Sequence, residues 1–466
     1  MHVDDNFNHW TRDTGGFRRC NRNSGRMKTD RVKLRQCWPA LIGLACGLYL
    51  PSNLAAAPAD TAAPITIDEA AREAVSWHPS VEEAKARLDE RSILVDVAEA
   101  GYMPQISGGI GTGYNNLSQS RWRPRASLSV SQMLYDFGKV RGSVDSAKAG
   151  TEIGRAQLLL SVDSLIRDTS YAVIELQRSG ALRAIAADQL ESVGSIRTLV
   201  QRRFEEGAAT KADMLQVEAR VQAAQATIQE IETEEQRWQT ALAHFLGREA
   251  APPISPEVPD GFMQYCAFQD PDWSAIPAMQ EVEAQRDQAT AERKRSRAEN
   301  LPTVSLGASG SADINDPFGD REELNFGINI STSLFNGGAN RARSRGADYA
   351  LSAAIAAEAR VRNQVSRTLR ETQNQAFGLG RVLDTLTFRE TSMRETGMLY
   401  RMQYLELGTK TLVDLLNAEQ ELHQVRFDRM NTQQDLRRLQ IDCMVNSGSA
   451  RAAFGLAGAD IRGIRL

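Results

Sequence analysis

The residues best able to do chemistry in this 466-residue chain are its histidines, and their spacing does not form a catalytic or metal site. Beyond residue 59 they are His78, His244 and His423, far apart and none at metal-ligand spacing from a cysteine. The sequence also lacks a glycine-rich phosphate loop and a Gly-x-Ser-x-Gly element. We therefore expect a protein that is not an enzyme and uses no cofactor or metal, with each histidine at the surface or at an interface.

A second polar pattern occurs twice and is typical of helix ends. It reads Gly207-x-x-Thr210-x-x-Asp213 in the first half of the chain and Gly408-x-x-Thr411-x-x-Asp414 in the second. Glycine is favoured just after a helix, threonine at the N-cap of the next, and an acidic residue in its first turn. Each copy therefore predicts a tight turn between two antiparallel helices.

The turn motif belongs to a longer duplication with an offset of about 200 residues. Pro104-Gln-Ile-Ser-Gly-Gly matches Pro302-Thr-Val-Ser-Leu-Gly, and Leu134-Tyr-Asp-Phe-Gly matches Leu334-Phe-Asn-Gly-Gly. Three matches in the same order indicate an internal repeat of one helix–hairpin–helix unit.

The first 59 residues look like a leader with an export signal. Arg31, Lys33 and Arg35 precede an apolar run from Trp38 to Leu50, and Ala57-Pro58-Ala59 has the small-x-small form of a cleavage site. Met27 is an alternative start that would give a signal of ordinary length.

The charge and the cysteine content of the exported part limit its possible partners and disulfides. The whole chain has 55 basic and 59 acidic residues; nine and four of these lie in residues 1–59, which leaves 46 and 55 and a net charge of −9. This balance argues against a nucleic-acid partner. Only Cys266 and Cys443 remain after residue 59. An oxidising compartment allows a disulfide between them, and two free buried thiols are the alternative.

Proline positions and apolar spacing predict very long helices. No proline occurs between Pro124 and Pro252 or after Pro317, and proline is costly inside a helix. Apolar residues recur at helical spacing from Gly138 to Phe204, which predicts a helix about 100 Å long and a duplicate from about Asn340 to Tyr404. Returning helices are expected at about 211–246 and 412–446, and leading helices at about 67–101 and 274–299.

Between the helices the apolar period changes from 3.6 to 2, which predicts four long strands. Ile106, Leu128, Leu306 and Ile328 lie in runs whose alternate positions are mostly Ser, Gly and Asn, and aromatic residues lie near the strand ends. This pattern is typical of transmembrane β-barrel strands. An ordinary antiparallel sheet with one face on a core is the alternative.

These segments define the expected organisation. It comprises a leader and signal peptide over 1–59, a first repeat over 60–247 with strands at about 104–114 and 125–136, an inter-repeat linker over 248–273, a second repeat over 274–447 with strands at about 302–313 and 323–335, and a C-terminal tail over 448–466. Four strands cannot close a barrel in lipid, so the chain is expected to oligomerise; three copies would give twelve strands around an aqueous bore.

Taken together, the repeat, the hairpins and the motifs at Tyr135–Gly138, Leu334–Gly338 and both turns resemble the TolC family of outer-membrane channel proteins over about residues 65–447. The resemblance implies an α+β membrane protein of the Gram-negative outer membrane. It implies a homotrimer in which duplicated long helical hairpins form a periplasmic α-barrel and four strands per subunit contribute to a 12-stranded β-barrel. A periplasmic adaptor and an inner-membrane transporter are the implied partners, the transporter being an ABC exporter or a proton-driven pump.

The resemblance also assigns roles at the tips of the helical hairpins. Asp414 matches the position of a carboxylate ring at the periplasmic aperture, and Lys410 matches a basic residue that helps to close it. Asn417 stands where some relatives have a second acidic ring, so a double ring is not expected. We interpret Asp213 as a helix-capping residue. Gly207, Thr210, Gly408 and Thr411 are expected to be structural, in a region where an adaptor would dock.

The implied function is an exit duct of a tripartite export system. The Tyr135–Gly138 motif and the lack of a lipoprotein box are more similar to type I protein-secretion members than to drug-efflux members. Efflux of drugs or other small molecules is one alternative, and a periplasmic coiled-coil scaffold protein is an alternative of another class.

Overall fold

The computed structural model describes residues 63–115, 121–257, 261–314, 323–461 and 463–465. The expected leader and signal peptide lie outside these residues, and Thr61–Leu466 forms one compact unit. In chain order the first repeat contains α1 (Ile67–Trp77), α2 (Pro79–Glu99), β1 (Gln105–Asn115), β2 (Arg121–Tyr135), α3 (Lys139–Glu205) and α4 (Lys211–Leu246). No helix in this described part is long and apolar enough to cross a membrane.

The second repeat follows a linker with two short 3₁₀ turns. It contains α5 (Pro277–Ala298), β3 (Thr303–Asp313), β4 (Glu323–Ser331), α6 (Ala339–Met402), a π-helical turn (Gln403–Leu407) and α7 (Leu412–Asn446). The short helix α8 (Ala450–Ala453) and the small ladder of β5 (Asp460–Ile461) and β6 (Ile464–Arg465) end the chain.

Local sequence explains where the helices begin. The expected leading helix of the first repeat is divided in two, because Pro79 has no N–H to donate and His78 is extended at the junction. At the start of α3, the Asp136 carboxylate accepts the Gly138 amide at 2.9 Å and also the amide of Val140, so the Asp-Phe-Gly motif is a helix-capping turn.

The four strands form one antiparallel sheet in the order β1-β2-β3-β4. Ile106 pairs with Val130, Val130 with Ala308, and Ala308 with Phe326, so the apolar residues share one face across all four strands. The ladder between β3 and β4 ends at the Thr303–Ser331 pair, four residues before the expected end of the last strand. Beyond Ser331 the chain has no opposite residue on β3 to pair with.

The opposite face of the sheet carries small polar residues. The hydroxyls of Ser107 and Ser129 are 2.7 Å apart, and the register continues this row through Ser309 to Asn325. In the single chain the apolar face is open: Phe326 is 80% exposed and Ile110 is 79% exposed. The sheet therefore presents an uncovered apolar surface on one side and a hydroxyl-rich surface on the other.

The long helices pack side by side. Near the helical turns the helices lie side by side in the order α4, α3, α7, α6. Near the sheet the order is α2, α3, α5, α6. A core cluster joins α1, the middle of α3 and the ends of α4 and α7, together with Phe454 from the C-terminal segment. At this level Cys266 in the linker is joined to Cys443 in α7 by a disulfide, and both residues are fully buried.

Candidate functional site

The residues with expected roles lie at the two helical turns, which we call the first tip (residues 203–213) and the second tip (residues 400–417). At the first tip Gly207 has a φ of +74°, a conformation that favours glycine. Thr210 caps α4: its hydroxyl accepts the Asp213 amide at 3.2 Å, and the Asp213 carboxylate accepts the Thr210 amide at 2.8 Å. These reciprocal bonds form a complete capping box.

The second tip repeats this arrangement. Gly408 has a φ of +63°, and the Thr411 hydroxyl accepts the Asp414 amide at 3.2 Å. The Asp414 carboxylate in turn accepts the Thr411 amide at 3.0 Å and the Thr411 hydroxyl at 2.9 Å. In the single chain, Asp213 and Asp414 therefore perform the same capping task.

Capping sets the protonation of both carboxylates. Hydrogen bonds from the Thr411 backbone and side chain, followed by the charge of Lys410, lower the pKa of Asp414. The corresponding bonds from Thr210 lower the pKa of Asp213. Both side chains are thus anionic at neutral pH. A ring of carboxylates would have to overcome this stabilisation before it could raise the pKa of Asp414.

The surroundings of the two aspartates differ. The Lys410 Nζ lies 4.1 Å from the centre of the Tyr400 ring, a cation–π contact that the first tip does not share, because Ala209 occupies the matching position. Asn417 is exposed one turn into α7. The second tip therefore combines an anion, a cation and an exposed amide within eight residues.

The two tips lie against each other. A cluster of buried apolar side chains joins them, formed by Val193, Ile196, Val200, Val217, Val221, Tyr404, Leu412, Leu415 and Leu416. The structure thus brings Thr210, Asp213, Lys410, Asp414 and Asn417 to the same end of the helices. Cys266 and Cys443 lie elsewhere, at the level of the linker.

Sequence reasoning missed one contact between the tips. The Arg203 guanidinium lies 4.7 Å from the centre of the Tyr404 ring and donates to the Tyr404 carbonyl at 3.3 Å. One feature of the sequence marks this region as different between the repeats. The offset between equivalent residues is 200 at Gly138 and Gly338 but 201 at the two tips.

The three histidines in the described residues, His78, His244 and His423, do not form a site. His423 is buried on α7, and burial lowers its pKa to about 4. Its Nε2 lies 3.8 Å from a carboxylate oxygen of Glu419. His78 caps α2, and His244 is exposed. The described part of the chain contains no group of three His, Cys, Asp or Glu residues able to hold a metal ion.

Comparison with known proteins gives consistent matches over most of the chain. The family profile described as outer membrane efflux protein matches residues 70–248 and 275–442. Nodulation protein T of Rhizobium leguminosarum bv. trifolii is 23% identical over 409 residues, covering 82% of this chain and 85% of that protein. The alkaline protease secretion protein AprF of Pseudomonas aeruginosa is 28% identical over 329 residues, covering 64% of each protein.

Solved structures show the same fold at low sequence identity. The outer membrane protein VceC of Vibrio cholerae aligns with a TM-score of 0.72 at 17% identity, over 82% of this chain and 96% of that chain. The outer-membrane channel OprN aligns with a TM-score of 0.70 at 23% identity, over 82% and 90% respectively.

Proposed function

Because the chain belongs to the outer membrane efflux protein family, we propose that it forms the exit duct of a tripartite export system. Members of this family are TolC-type channels, and the chain shares their α+β fold and their place in the Gram-negative outer membrane. Its long helices are the periplasmic part, and its strands are the outer-membrane part. Substrate would pass through this duct without entering the lipid of the outer membrane.

The main observation that supports the proposal is that the sheet has one apolar face and one hydroxyl-rich face. Its apolar face is exposed in the protomer, and among the described residues β1 pairs with β2 alone and β4 with β3 alone. Unpaired strand edges are not viable in hydrocarbon. A homotrimer would remove these edges by joining β4 of one subunit to β1 of the next, which gives twelve strands. The apolar face would then meet lipid, and the hydroxyl row through Ser129 would line an aqueous bore.

The tips would form the periplasmic entrance of this trimer. Asp414 would supply three carboxylates around the axis, and such a ring attracts cations. Lys410 would help to close the aperture, and Asn417 would leave the second ring position uncharged. Gly207, Thr210, Asp213, Gly408 and Thr411 would give the tips the shape on which a periplasmic adaptor docks. Energy would come from an inner-membrane transporter, an ABC exporter or a proton-driven pump.

We propose type I protein secretion as the specific task. AprF is an alkaline protease secretion protein by name, and its similarity supports secretion of a protein cargo. Efflux of small molecules is the second candidate, and the description of the family as outer membrane efflux proteins favours it.

Two measurements test the duct. Protein extracted in detergent should have the mass of three subunits and should conduct ions in planar bilayers. Release by a salt wash as a single non-conducting subunit would instead indicate a periplasmic coiled-coil scaffold. Cargo is then tested by deleting the gene. Loss of an extracellular protein with unchanged drug tolerance is the expected result, and the opposite pattern would assign small-molecule efflux.

A further inference from the structure

A cavity of about 640 Å³ lies where the sheet meets the helices of the first repeat. Its lining comes mostly from the end of β2 and the first turns of α3, and α5 contributes Lys294. Near the sheet, α3 and α5 are the two inner helices of the four that lie side by side. The cavity is therefore in the middle of the subunit, where joining β4 to β1 of the next subunit would leave it uncovered.

The cavity opens on the same side of the sheet as the apolar face. A one-residue shift in the ladder after Met133 places Tyr135 opposite Val304 on β3. Val304 lies on the apolar face, because it is four positions from Ala308 in a strand whose side chains alternate. Paired residues of an antiparallel ladder share a face, so Tyr135 lies on the apolar face too. Since Tyr135 also lines the cavity, the cavity continues this face toward the helices.

Phe137 lines the cavity from a strained backbone conformation. Its φ is +57°, in the left-handed region that residues other than glycine rarely adopt. The matching residue of the second repeat is Gly337, with a φ of +67°, so the turn itself can be made without a side chain. The Phe137 ring packs edge-on against Tyr135, with the ring centres 4.6 Å apart, and is exposed. Strain of this kind is typical of residues whose side chains have a function.

The rest of the lining is charged. The Arg141 side chain is largely exposed, and its Nε lies 4.0 Å from Asp145, at the limit of an ion pair. Lys294 is exposed and makes no ion pair within the described part of the chain. Asp136 also lines the cavity, but its carboxylate is occupied by the two amides that it caps at the start of α3. Two cations and the Asp145 carboxylate are therefore available to a ligand.

We propose that this cavity binds the headgroup of a zwitterionic phospholipid from the periplasmic leaflet. Arg141 and Lys294 bind its phosphate, and Asp145 binds its ammonium group. The acyl chains lie along the apolar face of the sheet. Tyr135 and Phe137 lie between the headgroup and these chains, where aromatic rings are favoured because one end is apolar and the other is wet.

Charge and position together select this ligand. A purely anionic headgroup would bring negative charge close to Asp145, and a free phosphate would leave the exposed aromatic rings without a partner. The inference rests on the proposed channel function for the presence of a membrane at this level. Binding of the lipid to the purified protein does not depend on conduction.

Native mass spectrometry of the delipidated full-length protein, titrated with phosphatidylethanolamine in detergent, measures the binding. Arg141→Gln and Lys294→Gln should each weaken it roughly tenfold, because each removes a charged hydrogen bond. Arg341→Gln is the matched control: Arg341 is the exposed equivalent of Arg141 in the second repeat, where Phe137 has no counterpart side chain. The control should bind like the wild type. Equal affinities of Lys294→Gln and the wild type, or equal weakening in Arg341→Gln, would overturn the site.

Phe137→Gly tests the aromatic wall without disturbing the turn, because glycine occupies the matching position of the second repeat. The lipid-free variant should be at least as stable as the wild type in thermal unfolding, since the strained residue is replaced by glycine. Its affinity for phosphatidylethanolamine should nevertheless fall roughly tenfold with the loss of the apolar ring. A variant that binds the lipid like the wild type would overturn the part played by Phe137.

Competition identifies the headgroup and its source. Phosphatidylglycerol should bind the wild type more weakly than phosphatidylethanolamine, and Asp145→Asn should remove this preference. Inorganic phosphate and glycerophosphoethanolamine, which lack acyl chains, should not displace the lipid at equal concentration. Displacement by inorganic phosphate would overturn the lipid site in favour of a phosphate site. Equal binding of the two lipids to the wild type would overturn the assignment of Asp145 to an ammonium group.

Failure of the lipid site is distinguishable from failure of the channel. A conducting trimer in which Lys294→Gln binds lipid like the wild type would overturn the site and leave the channel standing. A protein that does not conduct, but loses lipid in Lys294→Gln and not in Arg341→Gln, would contradict the channel and support the site.

Discussion

Replacing Arg451 with methionine should destabilise the protein in a pH-dependent manner. The Arg451 Nη1 donates to the Asp163 carboxylate at 2.7 Å, and its Nη2 donates to the Ala275 carbonyl at 2.9 Å. Asp163 is 3% exposed and Arg451 is 8% exposed. This pair fixes the C-terminal segment to α3 and to the start of the second repeat. Arg451→Met keeps much of the side-chain volume but leaves the Asp163 carboxylate buried without its cation.

The expected magnitude follows from the protonation of Asp163. Burial raises the pKa of this carboxyl from 3.8 to about 6, even with the Arg451 guanidinium opposing the shift. This difference corresponds to about 3 kcal/mol. The folded protein binds the Asp163 proton more tightly than the unfolded chain does. The protonated carboxyl therefore contributes to the free energy of unfolding fully below pH 4, and this contribution is lost as the pH rises through 6. Without Arg451 the pKa rises further, so the loss continues above pH 6. We expect Arg451→Met to cost about 3–5 kcal/mol at pH 8.

Denaturant unfolding of the detergent-solubilised protein, followed by circular dichroism at pH 5 and pH 8, measures this cost. The double variant Asp163→Asn/Arg451→Met is the control, because it removes both charges and should recover most of the stability lost at pH 8. A cost in Arg451→Met that is equal at the two pH values, or not reduced by Asp163→Asn, would refute the reasoning that an unpaired buried carboxylate is responsible.

Three further predictions concern the entrance, the disulfide and the sheet. Asp414→Ala and Asp213→Ala should each lose a helix cap worth about 1 kcal/mol of stability. Only Asp414→Ala should weaken the block of the channel by multivalent cations. Equal block of the two variants in single-channel recordings would show that Asp414 does not lie at the entrance. Cys443→Ser removes a cross-link between residues 177 positions apart and should lower the free energy of unfolding by about 5 kcal/mol, because the unfolded chain gains conformational entropy. The variant should be as stable as the wild-type protein with its disulfide reduced. A variant as stable as the oxidised wild type would contradict this prediction. Ile328→Lys on the apolar face should cost about 2–4 kcal/mol in lipid and reduce the membrane-inserted oligomer, whereas Asn329→Lys on the other face should insert normally; equal insertion would contradict the assignment of the faces.

Much of the fold was predictable because its signals are periodic and repeated. The absence of proline between Pro124 and Pro252 and after Pro317 allowed two very long helices, and the structure has 67 residues in α3 and 64 in α6. The division of the leading helix at Pro79 was also readable in principle, since proline often starts a helix. The change from period 3.6 to period 2 identified the strands. Their register, with Ser129 opposite both Ser107 and Ser309, required the structure.

The tips were predictable as turns and less so as a site. Glycine, threonine and aspartate at fixed spacing indicate a capping box, and the structure has one at each tip. The same bonds hold Asp414 in the cap, so capping geometry alone does not distinguish it from Asp213. The contact of Arg203 with Tyr404 joins residues 201 positions apart, and pairing at such a distance cannot be inferred from local spacing. Nor could the sequence alone show that His423 is buried, because burial depends on the neighbouring helix.

The unequal burial of the two duplicated helices is itself an argument for assembly. Helix α3 has neighbours on both sides, whereas α6 packs against α5 and α7 and lies at the edge of the helical layer. Large apolar residues on α6 are therefore uncovered, among them Tyr349 at 76% exposed and Phe388 at 77% exposed. Helix α2 at the opposite edge exposes Ile93 and Val97 in the same way. Exposed apolar surface of this extent is costly in water. The same cyclic symmetry that would join β4 to β1 of the next subunit would also join these two helical edges, so the sheet and the helices independently favour one closed assembly.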